Sequence, residues 1–197
     1  MAVNTQQSGT DSPPLAQGAV FGAVAFVVGY VITLILVAVA EADEFTDELI
    51  ETAGWIYYNA QFADVTSSVD AGDFGEAESE SFNIVRGDGF LGEGTSLDVP
   101  AIVYHLIPVL VLLGAGFAIA RYVDAKTPQE GAIAGATIVI GTTVLAILGT
   151  FIFTVTISFI VEFSASPDLA EGILFVGIGF PLVFGAIGGA IAGSSNQ

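Results

Sequence analysis

The 197-residue chain has no cysteine and very few residues that carry positive charge: it contains three lysines and arginines in total and a single histidine. The absence of cysteine excludes disulfide bonds and thiolate metal sites. The acidic residues number 21, and the formal net charge is −18. Because such a chain repels a phosphate backbone, we expect no nucleic-acid partner.

Charged residues are also absent from four long stretches. Each stretch lacks Asp, Glu, Lys and Arg, and each exceeds the roughly 20 residues that a helix needs to cross a hydrocarbon core about 30 Å thick. The hydrophobic fraction is 53%, and the mean hydropathy is +0.79. The sequence therefore predicts an all-α integral membrane protein, a bundle of four transmembrane helices within Leu15–Ala40, Pro100–Ala120, Gly131–Val161 and Gly172–Gly193.

The few basic residues predict the orientation. Arg121 and Lys126 lie in the short connection between the second and third stretches, which the positive-inside rule places in the cytoplasm. With four spans, both termini are then cytoplasmic and the protein lies in the cell membrane. The predicted segments are a cytoplasmic tail (1–14), TM1 (15–40), an acidic extracellular loop (41–99), TM2 (100–120), a cytoplasmic loop (121–130), TM3 (131–161), an extracellular loop (162–171), TM4 (172–193) and a cytoplasmic tail (194–197).

Most of the negative charge lies in the first extracellular loop. Glu41–Val99 holds fifteen acidic residues and one arginine, which indicates a surface kept soluble in concentrated salt. We infer a halophilic source; an acidic protein from an ordinary cell is the alternative. From Asn59 to Leu97 the pattern leaves open whether the loop forms a small folded cap or stays irregular.

The start of that loop, Glu41–Tyr58, has the period of an amphipathic helix. Its apolar face carries Phe45, Leu49, Thr52 and Ile56, whereas Asp43, Asp47, Glu48 and Glu51 turn away. We predict a helix on the outer membrane surface. The aromatic residues Trp55, Tyr57 and Tyr58 are then expected in the headgroup layer.

Helix starts are marked by local chemistry. Thr127, Pro128 and Glu130 form a capping box with proline at the first helical position. Ser166-Pro167-Asp168 marks the start of the fourth span in a similar way.

Within the spans, four features are candidates for packing or for a solute path. Glycines spaced by four residues form a small-residue ridge on the last helix, which predicts either tight packing inside one bundle or a homo-oligomer contact. A hydroxyl stripe on the third span either lines a narrow path or bonds to helix carbonyls. Prolines kink two spans, and the one histidine is a candidate proton carrier or an interfacial residue. The ridge consists of Gly185, Gly189 and Gly193, and the hydroxyl stripe of Thr143, Thr150, Thr154 and Ser158. The prolines are Pro108 and Pro181, and the histidine is His105.

The segment Gly54–Asp64, the triplet Ala120-Arg121-Tyr122 and the glycine-rich ending Ala186–Gly193 carry a family resemblance. The chain resembles an uncharacterised family of small haloarchaeal four-helix membrane proteins, which are labelled at most as transporters. The resemblance implies location and source, and brings no functional residues with it.

The residues support two functions. The first is passive transport or a channel-like role, which the glycines, prolines and hydroxyl stripe favour. The second is a non-catalytic accessory or scaffold subunit of a larger membrane complex, which the absence of charge in the spans favours. No hydrolytic triad, metal cluster or phosphate-binding loop is recognisable, so we expect no enzymatic activity and no cofactor. The expected partners are membrane lipid and either further copies of the chain or a larger membrane complex.

Overall fold

The computed structural model describes residues 13–41, 48–70, 78–89, 94, 96–158 and 162–195. Four helices in it, Leu15–Ala40, Ala101–Tyr122, Pro128–Ile152 and Leu169–Ser194, are long and apolar enough to cross a membrane. In chain order the elements are α1 (Leu15–Ala40), α2 (Leu49–Asn59), β1 (Val65–Asp70), β2 (Glu78–Phe82), α3 (Ala101–Tyr122), α4 (Pro128–Ala136), α5 (Val139–Ile152), β3 (Val155–Ser158), β4 (Glu162–Pro167), α6 (Leu169–Glu171), a π-helical segment (Gly172–Gly179) and α7 (Phe180–Ser194).

The outer surfaces of these long helices are apolar. Val39 is 79% exposed, Phe151 66% and Val20 62%. A soluble domain rarely exposes continuous apolar surface of this kind, whereas helices surrounded by lipid do so.

The predicted helix start at Thr127 is confirmed, and the one at Ser166-Pro167-Asp168 is confirmed for Asp168, whereas Ser166 and Pro167 lie in β4. The Thr127 hydroxyl accepts a hydrogen bond from the Glu130 amide at 3.2 Å, and the Glu130 carboxylate accepts one from the Lys126 amide at 2.9 Å. Asp168 accepts from the Glu171 amide at 2.8 Å. Both capping side chains accept from amides that have no partner inside their helix.

The glycine ridge of the last helix packs against neighbouring backbone inside the bundle. A Cβ on Gly189 would overlap the carbonyl oxygen of Gly131, and one on Gly131 would overlap that of Gly189. Gly185 meets Gly135 and Ile138 in the same way, and Gly193 meets the backbone of Thr127. The missing side chains let two helix backbones touch, so this face is a packing seam between α4 and α7 and has no room for a second copy of the chain.

The all-α prediction is wrong in one respect, because the structure contains a small sheet. Its strand order is β2-β1-β4-β3, with antiparallel neighbours throughout. The central pair joins the two connections that the sequence placed outside: Val65 pairs with Pro167 and Ser68 with Ser164. Both connections therefore lie at the same end of the bundle. We call α2, the four strands and the described residues that connect them the cap.

The helix predicted to lie on the membrane surface is instead buried. The α2 helix begins at Leu49, and seven of its residues, from Thr52 to Asn59, are buried. Ile56 packs in one cluster with Val65 and Phe82 of the sheet, while Tyr57 and Tyr58 pack with Phe26 of α1. The amphipathic pattern is real, but protein covers both faces. Phe45, Asp43 and Asp47 lie outside the described residues.

The third long helix ends earlier than the predicted 161. It stops at Ile152, and Val155–Ser158 forms β3. The sequence prediction missed the change from helix to strand because the whole stretch is uncharged. Val155, Thr156 and Ile157 are nevertheless β-branched residues that favour strands. Trp55 of α2 donates its indole N–H to the Phe153 carbonyl at 2.7 Å, which satisfies one of the carbonyls that a helix end leaves free.

Gly189→Leu is expected to disrupt the bundle, because a side chain at this seam meets backbone that cannot move aside. Overpacking of this kind costs about 3 kcal/mol or more. The matched control is Gly114→Leu on α3, where a Cβ meets no atom within 4 Å. Size-exclusion profiles and thermal unfolding in mild detergent measure the difference. Equal behaviour of the two variants would contradict the seam.

Candidate functional site

The most unusual backbone in the bundle lies where the fourth long helix passes Pro181. Here Gly172–Gly179 is wound as a π-helix, a form that is rare and frequent at functional sites. Pro181 has no N–H to donate to the carbonyl of Gly177 four residues before it. Two hydroxyls of α5 donate to this carbonyl instead: Thr142 at 2.8 Å and Thr143 at 3.0 Å. We call these groups the threonine clamp.

The remaining hydroxyls of the predicted stripe do not all lie on one helix. Thr150 lies on α5 and donates to the Ala146 carbonyl at 3.1 Å. Thr154 follows the end of α5 and donates to the Thr150 carbonyl at 2.9 Å. Ser158 lies in β3, near Glu162 at 3.4 Å. The prediction that all four residues lie on the third span is therefore wrong for Ser158, which lies in β3. The bonds of Thr150 and Thr154 agree with the alternative that the hydroxyls bond to helix carbonyls.

The other kink residue, Pro108, is buried within α3, which continues through it as one helix. His105 lies one turn earlier, and its Nδ1 is 2.7 Å from the Ala60 carbonyl. Because a carbonyl oxygen can only accept, Nδ1 carries the hydrogen. The structure thus places His105 at the contact between α3 and the end of α2.

Aromatic side chains of α2 fix the cap to α5. The Tyr58 hydroxyl donates to the Ala146 carbonyl, the same oxygen that accepts from Thr150. Burial raises the pKa of the Tyr58 phenol, so it remains a donor at neutral pH. A Cβ at Gly54 would overlap the ring of Phe153, which explains why α2 approaches α5 so closely.

The buried carboxylate at the end of α1 was not predicted from the sequence. Glu41 is 3% exposed. It accepts hydrogen bonds from the Asp98 amide at 2.9 Å, the Val99 amide at 3.1 Å and the Tyr104 hydroxyl at 2.8 Å. These bonds hold the chain that leads into α3. The only available signal is the position of an acid directly after a long apolar run.

A second polar cluster joins α2 to the sheet. Asp64 accepts two bonds from the Arg86 guanidinium at 2.6 and 2.8 Å and one from the Asn83 amide at 2.8 Å. Its backbone amide donates to Glu171 at 2.7 Å. Arg86 therefore compensates part of the negative charge where the two connections meet. Among the described residues, no group of three or more His, Cys, Asp or Glu side chains is placed to hold a metal ion.

Comparison with known proteins gives one match. The model of a family of unknown function, DUF7978, matches residues 1–196. The chain belongs to the DUF7978 family. No curated protein and no solved structure matches it. The family assignment therefore covers nearly the whole chain of this DUF7978 member and brings no activity with it.

Removing the threonine clamp from this DUF7978 member is expected to destabilise it. Thr142→Val with Thr143→Val leaves the Gly177 carbonyl without its two donors, at a cost of about 1 to 2 kcal/mol. Pro181→Ala restores an N–H nearby, so the same pair of substitutions should lower the free energy of unfolding by less in that background. Unfolding by a denaturing detergent, measured for all four combinations, gives the coupling energy. An equal cost in both backgrounds would show that the clamp does not compensate for the proline.

Proposed function

We propose that the protein is an integral membrane protein with four spans, both termini in the cytoplasm and the cap outside. Four apolar helices support the membrane location. Arg121 and Lys126 lie at the end of the bundle opposite the sheet, where the positive-inside rule favours the cytoplasm. A cap rich in carboxylates is suited to concentrated salt, where charges farther apart than about 3 Å at 1 M are screened. We therefore also propose a haloarchaeal source.

We further propose that the protein is a non-catalytic accessory or scaffold subunit of a larger membrane complex. The observation that carries this proposal is the threonine clamp. In transporters with broken helices, freed backbone carbonyls coordinate the transported ion. Here the carbonyl of Gly177 accepts from Thr142 and Thr143. Pro181 removes one hydrogen bond from this helix, yet the freed carbonyl accepts from the neighbouring helix α5.

The remaining candidates for a path support the same proposal. The hydroxyls of Thr150 and Thr154 donate to carbonyls of their own segment. The glycine seam brings backbone against backbone between α4 and α7. A bundle held in this way is closely packed, and it carries a cap with exposed acidic residues at one end. Such an arrangement suits a protein that presents a surface to a membrane partner.

Passive transport is the second candidate, and the π-helical segment is the observation that favours it. A π-helix can revert to α-helical winding, which would move the carbonyl of Gly177 relative to the clamp. A path would then open along Thr143 and Thr150. The two functions differ in whether the purified protein moves solutes and in whether it has a stable partner.

Flux through reconstituted liposomes separates the two functions. For the scaffold role, efflux of potassium, chloride and glycerol is expected to equal that of protein-free liposomes. Thr143→Val with Thr150→Val tests the path, and Val144→Thr, at a position 53% exposed on the same helix, is the control that adds a hydroxyl outside it. Efflux that falls in the threonine variant and not in the control would contradict the scaffold role.

The scaffold role also requires a partner. Protein extracted gently from its own membranes is expected to elute with another subunit at a fixed ratio. Glu80→Lys with Asp88→Lys reverses two exposed charges of the cap and should release that subunit, whereas Asp124→Lys at the opposite end should not. A protein that elutes alone, without flux, would refute both proposed functions.

A further inference from the structure

A tight turn after α2 holds Phe62 in a strained conformation. Its backbone φ is 68°, in the left-handed region that bulky residues avoid. Two buried amides fix this turn: Asn59 donates to the Ala63 carbonyl at 2.8 Å and Gln61 to the Tyr57 carbonyl at 3.2 Å. A strained residue persists only where its surroundings determine it, and such residues cluster at binding sites.

The strain presents the ring of Phe62 at the surface. The side chain is 49% exposed. Its ring lies 5.2 Å from the imidazole of His105 on α3 and 5.7 Å from the ring of Phe180 on α7. We call these three residues the aromatic shelf. The shelf covers the cap end of the contact between α3 and α7, and part of Phe62 remains exposed.

The hydrogen-bonding state of His105 follows from its partner. Nδ1 donates to the Ala60 carbonyl at 2.7 Å, so in the neutral ring Nε2 carries the lone pair and can only accept. No hydrogen bond from the described residues reaches Nε2. No buried side-chain nitrogen or oxygen in that part of the chain lacks a partner, so Nε2 is open to the surroundings. The shelf therefore offers one acceptor beside an exposed aromatic face.

The depth of the shelf matches the headgroup region. His105 is the fifth residue of α3, about 6 Å below the start of that helix by helical rise. Its neighbours Ile102 and Leu106 are 61% and 45% exposed, as expected for a helix surrounded by lipid. Anionic headgroups are disfavoured here, because the segment Glu41–Val99 carries fifteen acids and one arginine.

We propose that the aromatic shelf binds an uncharged, hydroxyl-bearing headgroup of a lipid in the leaflet on the cap side. A headgroup hydroxyl donates to Nε2 of His105. The C–H face of the headgroup lies on the exposed ring of Phe62. This site depends on the membrane location proposed above and is independent of the scaffold role.

Lipid retention tests the site. The full chain is placed in nanodiscs that contain equal parts of a galactosyl diacylglycerol, phosphatidylcholine and phosphatidic acid, and then extracted in mild detergent for native mass spectrometry. The galactolipid is expected to be retained about fivefold more than phosphatidylcholine, the ratio for one hydrogen bond of ordinary net strength. Retention of phosphatidylcholine or phosphatidic acid to the same extent would overturn the proposal.

Three variants locate the site. Phe62→Gly removes the ring and also relieves the left-handed strain, so it should keep the thermal midpoint while reducing galactolipid retention to the phosphatidylcholine level. His105→Phe should reduce it equally. Phe151→Ala, an exposed phenylalanine at the same end of the bundle without a histidine beside it, should change nothing. If His105→Phe fails to fold, Phe62→Gly alone decides, and unchanged retention in Phe62→Gly refutes the site.

Discussion

The structure depends on one constraint, namely that a buried polar group must find its hydrogen-bond partner within the protein. Pro181 breaks this rule locally, and Thr142 and Thr143 of the adjacent helix repair it by donating to the Gly177 carbonyl. The same requirement explains why Thr150 bonds to a carbonyl of its own helix. Glycines complete the arrangement, since they let the backbones of two helices touch at Gly131 and Gly189.

Buried polar groups of the cap, outside the four long helices, find partners in the same way. Its helix α2 packs under the sheet on one side and against the bundle on the other, and Tyr58 and Trp55 donate to carbonyls of the third long helix and its end. Glu41 fixes the chain before α3 from a distance of more than 50 residues along the sequence. Cap and bundle are thus tied by buried hydrogen bonds, which favours a rigid body that displays an acidic surface over a protein whose helices must separate to pass a solute.

Some of this architecture could be predicted from the sequence, and the exceptions have physical causes. The first helix is predicted at its observed bounds, Leu15–Ala40, because a long uncharged run bounded by polar residues has few alternatives. The end of the third helix was missed because absence of charge does not separate a helix from a strand. An amphipathic pattern gives no indication of what covers the apolar face, so α2 was assigned to the membrane surface. His105 stood out by its chemistry, whereas Phe62 required the backbone conformation to be known.

The central claim is a bundle of four spans with the cap outside, and cysteine labelling tests it most directly because the chain contains no cysteine. Ser79→Cys lies exposed on β2 in the cap, and Gln129→Cys lies exposed at the start of α4 at the opposite end. An impermeant thiol reagent applied to intact cells is predicted to label the variant at position 79, and to label the one at position 129 only after the membrane is opened. Labelling of position 129 but not of position 79 in intact cells would contradict the orientation, and labelling of both would contradict the four spans.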